Sequence, residues 1–297
     1  MSDVLRSEVG GGASEAPTPG LVYLETSFHQ GIELDPVRTR LHRMRSAVRT
    51  SARLIESDVK AIPIRYRPYM LTFTYRSGVE WKPKHISDCL GFYRAWAKDK
   101  GFHLRYVWVA EIQANRYQDG ALLGECVHYH CLLWIPTHLR CPKADSSGFW
   151  LHGGTRTEVA RNPVAYITKY ATKGKDVYFP KGLRIHGSGG LSENARSERT
   201  WWGLPRWVRV LFDQADIPRR RVGGGFVSRV TGVAIQSIWS VLRDTSGFFC
   251  WLRDDLDTIL DPFQLWQLVS AGLIPERWAE SFERSLDQSV VCVECPF

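Results

Sequence analysis

Residues 103–136 read HLRYVWVAEIQANRYQDGALLGECVHYHCLLWIP and carry the strongest β-strand signals of the chain. Aromatic and β-branched residues crowd segments 103–113 and 126–135, and such residues favour strands. The polar, glycine-bearing segment 114–125 is typical of a loop, and Pro136 closes the second strand. We therefore predict an antiparallel pair of strands, whose register so long a connection does not fix.

Three further elements are predicted ahead of this pair. Asp35 supplies an N-cap, and Pro36 a first helical residue, for a helix over 37–55. Segment 69–75 alternates and is rich in strand formers, whereas residues 83–100 suit a helix.

The same opening of cap and proline recurs at Asn162–Pro163. Segment 164–173, VAYITKYATK, suits a helix of about three turns, and Gly174 is well placed to end it. Farther along, the aromatic cluster WWGLPRW at 201–207 either packs in a core or stacks on unpaired bases, and both interpretations stay open.

The chain has 297 residues and a net charge of +8 that is unevenly distributed. Residues 1–36 contain six acidic residues and one basic residue, and residues 251–297 contain nine acidic and three basic ones. The positive charge therefore lies in residues 37–250, which favours a polyanion such as nucleic acid. The six arginines of the first predicted helix either form a solvated basic face or contact the DNA backbone.

The composition, 44% hydrophobic and 24% charged, is that of an ordinary globular protein. No apolar run reaches the ~18 residues of a membrane span, and the N-terminus lacks a secretory signal. We expect a cytoplasmic protein. The seven cysteines are odd in number and scattered, so we expect reduced thiols; the C-terminal pair Cys292 and Cys295 lacks the two further ligands of a zinc site.

A pair of histidines in the second strand can form half of a metal site. Because side chains alternate along a strand, His128 and His130 project from one side. Glu111 is the only acid in an apolar stretch of the preceding strand, where a shared cation would offset the cost of burying its charge. Glu125 is an odd number of residues from both histidines and would point to the opposite face of a regular strand, so we favour Glu111. These ligands suit Mg²⁺ or Mn²⁺ in an open site and Zn²⁺ in a closed one, although an HxH pair is also often incidental.

The predicted helix at 164–173 presents a second set of candidate residues. Tyr166 and Tyr170 are four residues apart, as are Lys169 and Lys173, so both phenols can reach one cleft. A tyrosine nucleophile, with its pKa of about 10, needs a nearby cation to polarise its target and a lysine to favour developing charge. The plainer alternative is an amphipathic helix that buries its tyrosine rings and solvates its lysines.

The order of these motifs resembles the HUH endonuclease superfamily of rolling-circle replication initiators. The match covers residues 65–175 and runs from the strand LTFTY through the acid-bearing strand and HYH to YxxKYxxK on a capped helix. The doubled tyrosine motif is similar to the two-tyrosine initiators of single-stranded DNA phages, and the size and motif spacing suggest a phage or plasmid replication protein. In relaxases, by contrast, the nucleophilic tyrosine precedes the histidines.

The resemblance implies a role for each motif residue. His128 and His130, with Glu111, would be the metal ligands; Tyr166 would be the first nucleophile, Tyr170 the alternate one, and Lys169 the helix lysine. Lys173 and Arg116 are expected to contact DNA.

The implied fold is α+β, an antiparallel β-sheet with packed helices and a ferredoxin/RRM-like core that has the histidines on a central strand. We expect a flexible acidic leader over 1–34, the endonuclease domain over 35–209, and a mostly helical accessory region over 210–297.

The implied reaction is a metal-assisted transesterification with Mg²⁺ or Mn²⁺ that nicks single-stranded or hairpin origin DNA in the cytoplasm of a bacterial host. The tyrosine takes the 5′ phosphate, and the free 3′ hydroxyl primes synthesis. After one round the second tyrosine would cut the regenerated origin, and the displaced strand would be rejoined into a circle. No P-loop motif occurs, so a host helicase and a host DNA polymerase are the expected partners. A transposase of the same superfamily, or a non-catalytic nucleic-acid-binding regulator, remains an alternative.

Overall fold

The structure is a computed structural model that describes residues 32–118, 121–173, 179–243 and 247–280, with the backbone alone for residues 114–118 and 121–125. Its elements, in chain order, are β1 (Ile32–Glu33), α1 (Pro36–Lys60), β2 (Tyr66–Thr74), α2 (His85–Asp99), β3 (Arg105–Gln118), β4 (Ala121–Pro136), β5 (Thr155–Val159), α3 (Pro163–Thr172), β6 (His186–Gly189), α4 (Glu193–Trp202), α5 (Arg206–Leu211), β7 (Arg219–Arg220), β8 (Phe226–Val227), β9 (Ala234–Ile235), β10 (Trp239–Arg243), β11 (Phe248–Leu252), α6 (Leu256–Ile259), α7 (Pro262–Ser270) and a 3₁₀ turn (Glu276–Trp278).

The described chain consists of two compact units. One spans residues 35–217, and the other combines residues 32–34 with the described part of 218–280. No described helix is long and apolar enough to span a bilayer.

The unit over 35–217 is built on a five-stranded sheet with strand order β5-β2-β4-β3-β6. Every neighbouring pair in it is antiparallel, so the prediction of an α+β fold with an antiparallel sheet is confirmed. β4 lies in the centre of the sheet and contributes both HYH histidines.

Residues 114–118 and 121–125 form strand, so the prediction of a loop is wrong for these residues. β3 continues to Gln118 and β4 begins at Ala121, so the two strands form one long hairpin. Arg116 pairs with Gly124 between two shifts of register. A β-bulge of this kind accommodates glycine and polar residues within a ladder, so the polar sequence does not end the pairing.

One face of the sheet carries an aromatic core. Phe73 lies directly opposite Tyr129, and both side chains are fully buried. Trp150 packs 5.1 Å from the Phe73 ring, and the Tyr93 hydroxyl donates a 2.7 Å hydrogen bond to the carbonyl of Pro142. Burying these large rings fixes the parity of β2 and β4, because a slip of one residue would turn the aromatic set outward.

Helix α1 confirms the predicted opening of cap and proline. The Asp35 carboxylate accepts hydrogen bonds from the backbone of Val37 and Arg38. The apolar side chains along one side of the helix are buried, among them Leu41, Met44, Val48 and Leu54. α1 packs against α3, β3 and β6.

The α1 arginines divide between protein contacts and exposure. Arg40 donates to the carbonyl of Leu183, Arg45 to that of Ala171, and Arg53 to the Glu198 carboxylate. Arg43 and Arg49 are exposed. The basic face is therefore partly structural.

The second unit corrects the expectation of a mostly helical C-terminal region. It contains two three-stranded sheets, β1-β11-β10 and β7-β8-β9, beside the short helices α6 and α7. β1, which lies ahead of α1, pairs with β11. The aromatic and β-branched residues of β10 and β11 favour extended backbone, whereas the capping box of Asp261 and Gln264 starts α7.

The aromatic cluster at 201–207 is divided between core and surface. Trp201 and Trp207 are buried, whereas Trp202 is 42% exposed with the Arg209 guanidinium over its ring. The core interpretation therefore holds for two of the three tryptophans.

Candidate active site on the sheet

The predicted metal-ligating residues share one face of the sheet, which we call the histidine face and define by His128, His130 and Glu111. Glu111 on β3 lies directly opposite His128 on β4, and His130 lies opposite both Val109 and Thr72. Directly opposed residues on neighbouring strands point to the same side. The register therefore places the three predicted ligands on one face of the sheet.

His130 is held from two sides. Its Nε2 lies 2.5 Å from Oε2 of Glu111, and its Nδ1 lies 3.1 Å from the Thr72 hydroxyl. The His130 residue is only 4% exposed, so both ring nitrogens are fixed by protein partners. Such contacts set the orientation of an imidazole ring.

The second oxygen of Glu111 binds a lysine. Nζ of Lys173 lies 3.1 Å from Oε1 of Glu111. Burial raises the pKa of Glu111, but the hydrogen bonds and charges of His130 and Lys173 outweigh this effect and hold the pKa below its ordinary value. The Glu111 carboxylate is thus charged, and each of its two oxygens contacts a nitrogen of a neighbouring side chain.

The residue types of this cluster fit a divalent cation. Two imidazoles and a carboxylate on one face form a mixed nitrogen and oxygen donor set, as Mn²⁺, Mg²⁺ and Zn²⁺ accept. Within the described residues, no three His, Cys, Asp or Glu side chains converge closely enough to hold a metal ion as they stand. Glu111 instead faces His130 and Lys173, so the Lys173 ammonium supplies the positive charge at this carboxylate.

Helix α3 places both predicted tyrosines at the histidine face. The Tyr170 ring stacks on His130, with centroids 3.5 Å apart and planes at 14°. The Tyr166 ring lies one turn earlier, at 5.7 Å from Tyr170 in an edge-on arrangement. Lys173 lies 4.9 Å from the Tyr170 ring centroid, so its ammonium contacts both the phenol ring and Glu111.

Local sequence explains the position of α3. The Asn162 side chain accepts a hydrogen bond from the backbone of Ala165, and Pro163 occupies the first turn, as predicted. Ile167 and Ala171 are fully buried on the opposite rows of the helix from the lysines. Gly174, predicted to end the helix, lies outside the described residues.

The two remaining predicted residues are Lys169 and Arg116. Lys169 is exposed, and its ammonium forms no ion pair with any residue that the structure describes. Arg116 is a residue of β3, and its side chain lies outside the described part of the chain.

Glu158 is a polar residue of the site that the sequence analysis missed. The Tyr166 hydroxyl donates a 2.5 Å hydrogen bond to Oε1 of Glu158, and Arg156 lies 3.0 Å from Oε2. This hydrogen bond, followed by burial and by the neighbouring Tyr170, raises the pKa of Tyr166 well above its ordinary value. The alternating segment TRTEV at 155–159 was the available signal, but five residues without a strong apolar pattern do not stand out.

Comparison with known proteins points to replication. Residues 68–175 match the model of a family described as Replication-associated protein ORF2. The matched segment contains the histidine face, α3 and Glu158. No curated protein and no solved structure matches the chain. The family match is consistent with a replication-associated protein.

Proposed function

We propose that this chain is a replication initiator that nicks one DNA strand with a tyrosine and starts rolling-circle replication. The stacking of Tyr170 on His130 carries this proposal, because it places a phenol in contact with the cluster of His130 and Glu111. The family match over 68–175 supports a role in replication. Within the superfamily that the motifs resemble, phenols next to such a cluster are nucleophiles.

The reaction is a transesterification. The phenolic oxygen forms a bond to phosphorus, and the bond between phosphorus and the 3′ oxygen breaks. The phenol loses its proton to solvent, and the departing 3′ oxygen gains one. The enzyme then carries a 5′-phosphotyrosine, and the free 3′ hydroxyl primes a host polymerase on origin DNA that a host helicase opens.

Glu111, His128 and His130 would hold the divalent cation, Mg²⁺ or Mn²⁺. When bound, such a cation supplies charge that polarises the scissile phosphate and stabilises the transition state. The protein residues supply the rest: His130 orients the Tyr170 ring by stacking, Thr72 orients His130, and Lys173 brings positive charge to the phenol ring.

Lys173 offers a test of the cation site that does not depend on catalysis. Its ammonium binds the carboxylate that the cation requires, so Lys173→Met should tighten Mn²⁺ binding. Since the lysine side chain is 47% exposed, we expect a gain of about threefold, as for a solvent-screened ion pair. A titration of Mn²⁺ followed by electron paramagnetic resonance measures the change. Lys169→Met is the matched control; equal or weaker Mn²⁺ binding by Lys173→Met would contradict competition at Glu111.

An assay for a covalent adduct tests the function directly. The protein is incubated with Mn²⁺ and labelled single-stranded oligonucleotides that tile the replicon encoding it, and the products are separated on a denaturing gel. We expect one oligonucleotide to yield a protein–DNA adduct that a chelator abolishes. Binding of DNA without any adduct would instead favour a regulatory protein. The DNA that flanks the cut separates an initiator from a transposase, because both catalyse the same step.

A further inference from the structure

We infer that the two tyrosines have different duties: Tyr170 makes the first cut, and Glu158 positions Tyr166 for the second transfer. The inference rests on the proposed function and assigns an order to its nucleophiles. It departs from the order that the sequence resemblance implies, in which Tyr166 acts first.

Tyr170 is the tyrosine that contacts the histidine face. Its ring lies against His130, whose Nε2 contacts Glu111. Lys173 links the Tyr170 ring to the same carboxylate. A phosphate at the histidine face would therefore meet the Tyr170 side chain, with the Lys173 ammonium beside it to favour the developing phenolate.

Tyr166 is held by a different group. Glu158 lies on the edge strand β5 and accepts the phenolic hydrogen bond through one oxygen, while Arg156 occupies the other oxygen. The Glu158 side chain is 33% exposed, and that of Arg156 is 79% exposed, so the ion pair faces solvent and is accessible to DNA.

The carboxylate restrains Tyr166 in two ways. It fixes the direction of the hydroxyl, and its negative charge disfavours both a phenolate and a phosphate beside it. Glu158 is thus a positioning residue, which acts through Tyr166 and does not touch the reacting phosphorus.

The resemblance to two-tyrosine initiators implies two consecutive transfers, and the contacts of the two phenols assign one tyrosine to each. In the first, Tyr170 forms the bond to phosphorus, the bond to the 3′ oxygen breaks, and the 3′ oxygen takes up a proton as the phenol releases one. In the second, Tyr166 attacks the regenerated origin in the same manner. The 3′ hydroxyl so released attacks the phosphotyrosine at Tyr170, which closes a DNA circle and frees the Tyr170 phenol with its proton restored.

Mapping the adduct tests the order of the tyrosines. The full-length protein is reacted in a single turnover with an oligonucleotide that forms the adduct, digested, and examined by mass spectrometry. We expect the nucleotide on Tyr170 in excess over Tyr166, and we expect Tyr170→Phe to slow the first cut about tenfold more than Tyr166→Phe does. An adduct mainly on Tyr166, or an equal loss in both variants, would overturn the inference.

Glu158→Gln tests the positioning role by a spectroscopic signature. Removing the negative charge should let Tyr166 ionise at lower pH, so the ultraviolet absorbance of phenolate should appear earlier in an alkaline titration. The difference should vanish when Tyr166→Phe is also present, and exposed Glu80→Gln is the matched control. An unchanged titration would reject the role of Glu158. Absence of an adduct in every protein, with the titration shift present, would instead reject the proposed nickase.

Discussion

Replacing both Tyr166 and Tyr170 by phenylalanine will abolish covalent attachment to DNA. Phenylalanine keeps the ring that stacks on His130 but lacks the oxygen that bonds to phosphorus. Tyr170 stacks on His130 and Tyr166 lies edge-on to Tyr170, so the double change removes both phenols of the cluster. We expect the rate of adduct formation to fall at least about a thousandfold, as when a covalent nucleophile is removed.

The control for this variant is a second pair of tyrosines in the same sheet. Tyr66 and Tyr106 are partly buried and lie outside the candidate site, so Tyr66→Phe/Tyr106→Phe should form the adduct at the normal rate. Thermal unfolding checks that both double variants fold. A folded Tyr166→Phe/Tyr170→Phe protein that still becomes attached to DNA would exclude these tyrosines as nucleophiles.

The second large effect is expected when the imidazoles are removed. His128→Ala/His130→Ala deletes both nitrogen donors of the proposed cation site. Changes to residues that only support metal ligands weaken binding by about 10–100-fold, so loss of the ligands themselves should weaken Mn²⁺ binding at least about a hundredfold. Formation of the protein–DNA adduct should be lost together with Mn²⁺ binding. Calorimetric titration with Mn²⁺ measures the binding.

Two exposed histidines supply the matched control. His103 and His138 are exposed, so His103→Ala/His138→Ala should keep the Mn²⁺ affinity. The site variant also loses the Thr72 contact and the ring that supports Tyr170, so circular dichroism must accompany the titration. Wild-type Mn²⁺ affinity in a folded His128→Ala/His130→Ala protein would contradict the proposed ligands.

Local signals in the sequence predict the elements that carry the site. Asp35–Pro36 and Asn162–Pro163 mark the starts of α1 and α3 because capping depends on a few adjacent residues. Alternation along HYH places both histidines on one face of the strand, and this result does not depend on which strands lie beside it. The parity argument also selects Glu111, which the register sets opposite His128.

Other features depend on contacts between distant residues. The hydrogen bond of Tyr166 to Glu158 requires β5 to pair with β2, and the stacking of Tyr170 on His130 requires the packing of α3. Strands of two residues, such as β8, are too short to show a period. The extension of the β3–β4 hairpin past Gln113 cannot be predicted from the sequence. Gly124 by itself indicates a turn, and only the pairing with Arg116 at the β-bulge shows that it lies in a strand.

The guanidinium of Arg45 donates a 3.2 Å hydrogen bond to the carbonyl of Ala171, in the last turn of the helix that carries both phenols. An isolated helix of ten residues is marginal in water, so the tyrosines owe their placement to α1 as well as to the sheet. The family match covers residues 68–175, whereas the folding unit runs from 35 to 217. A protein fragment cut to the matched borders would lack the helix that contacts the end of α3, so the shortest fragment used to test the proposed function should begin at Asp35.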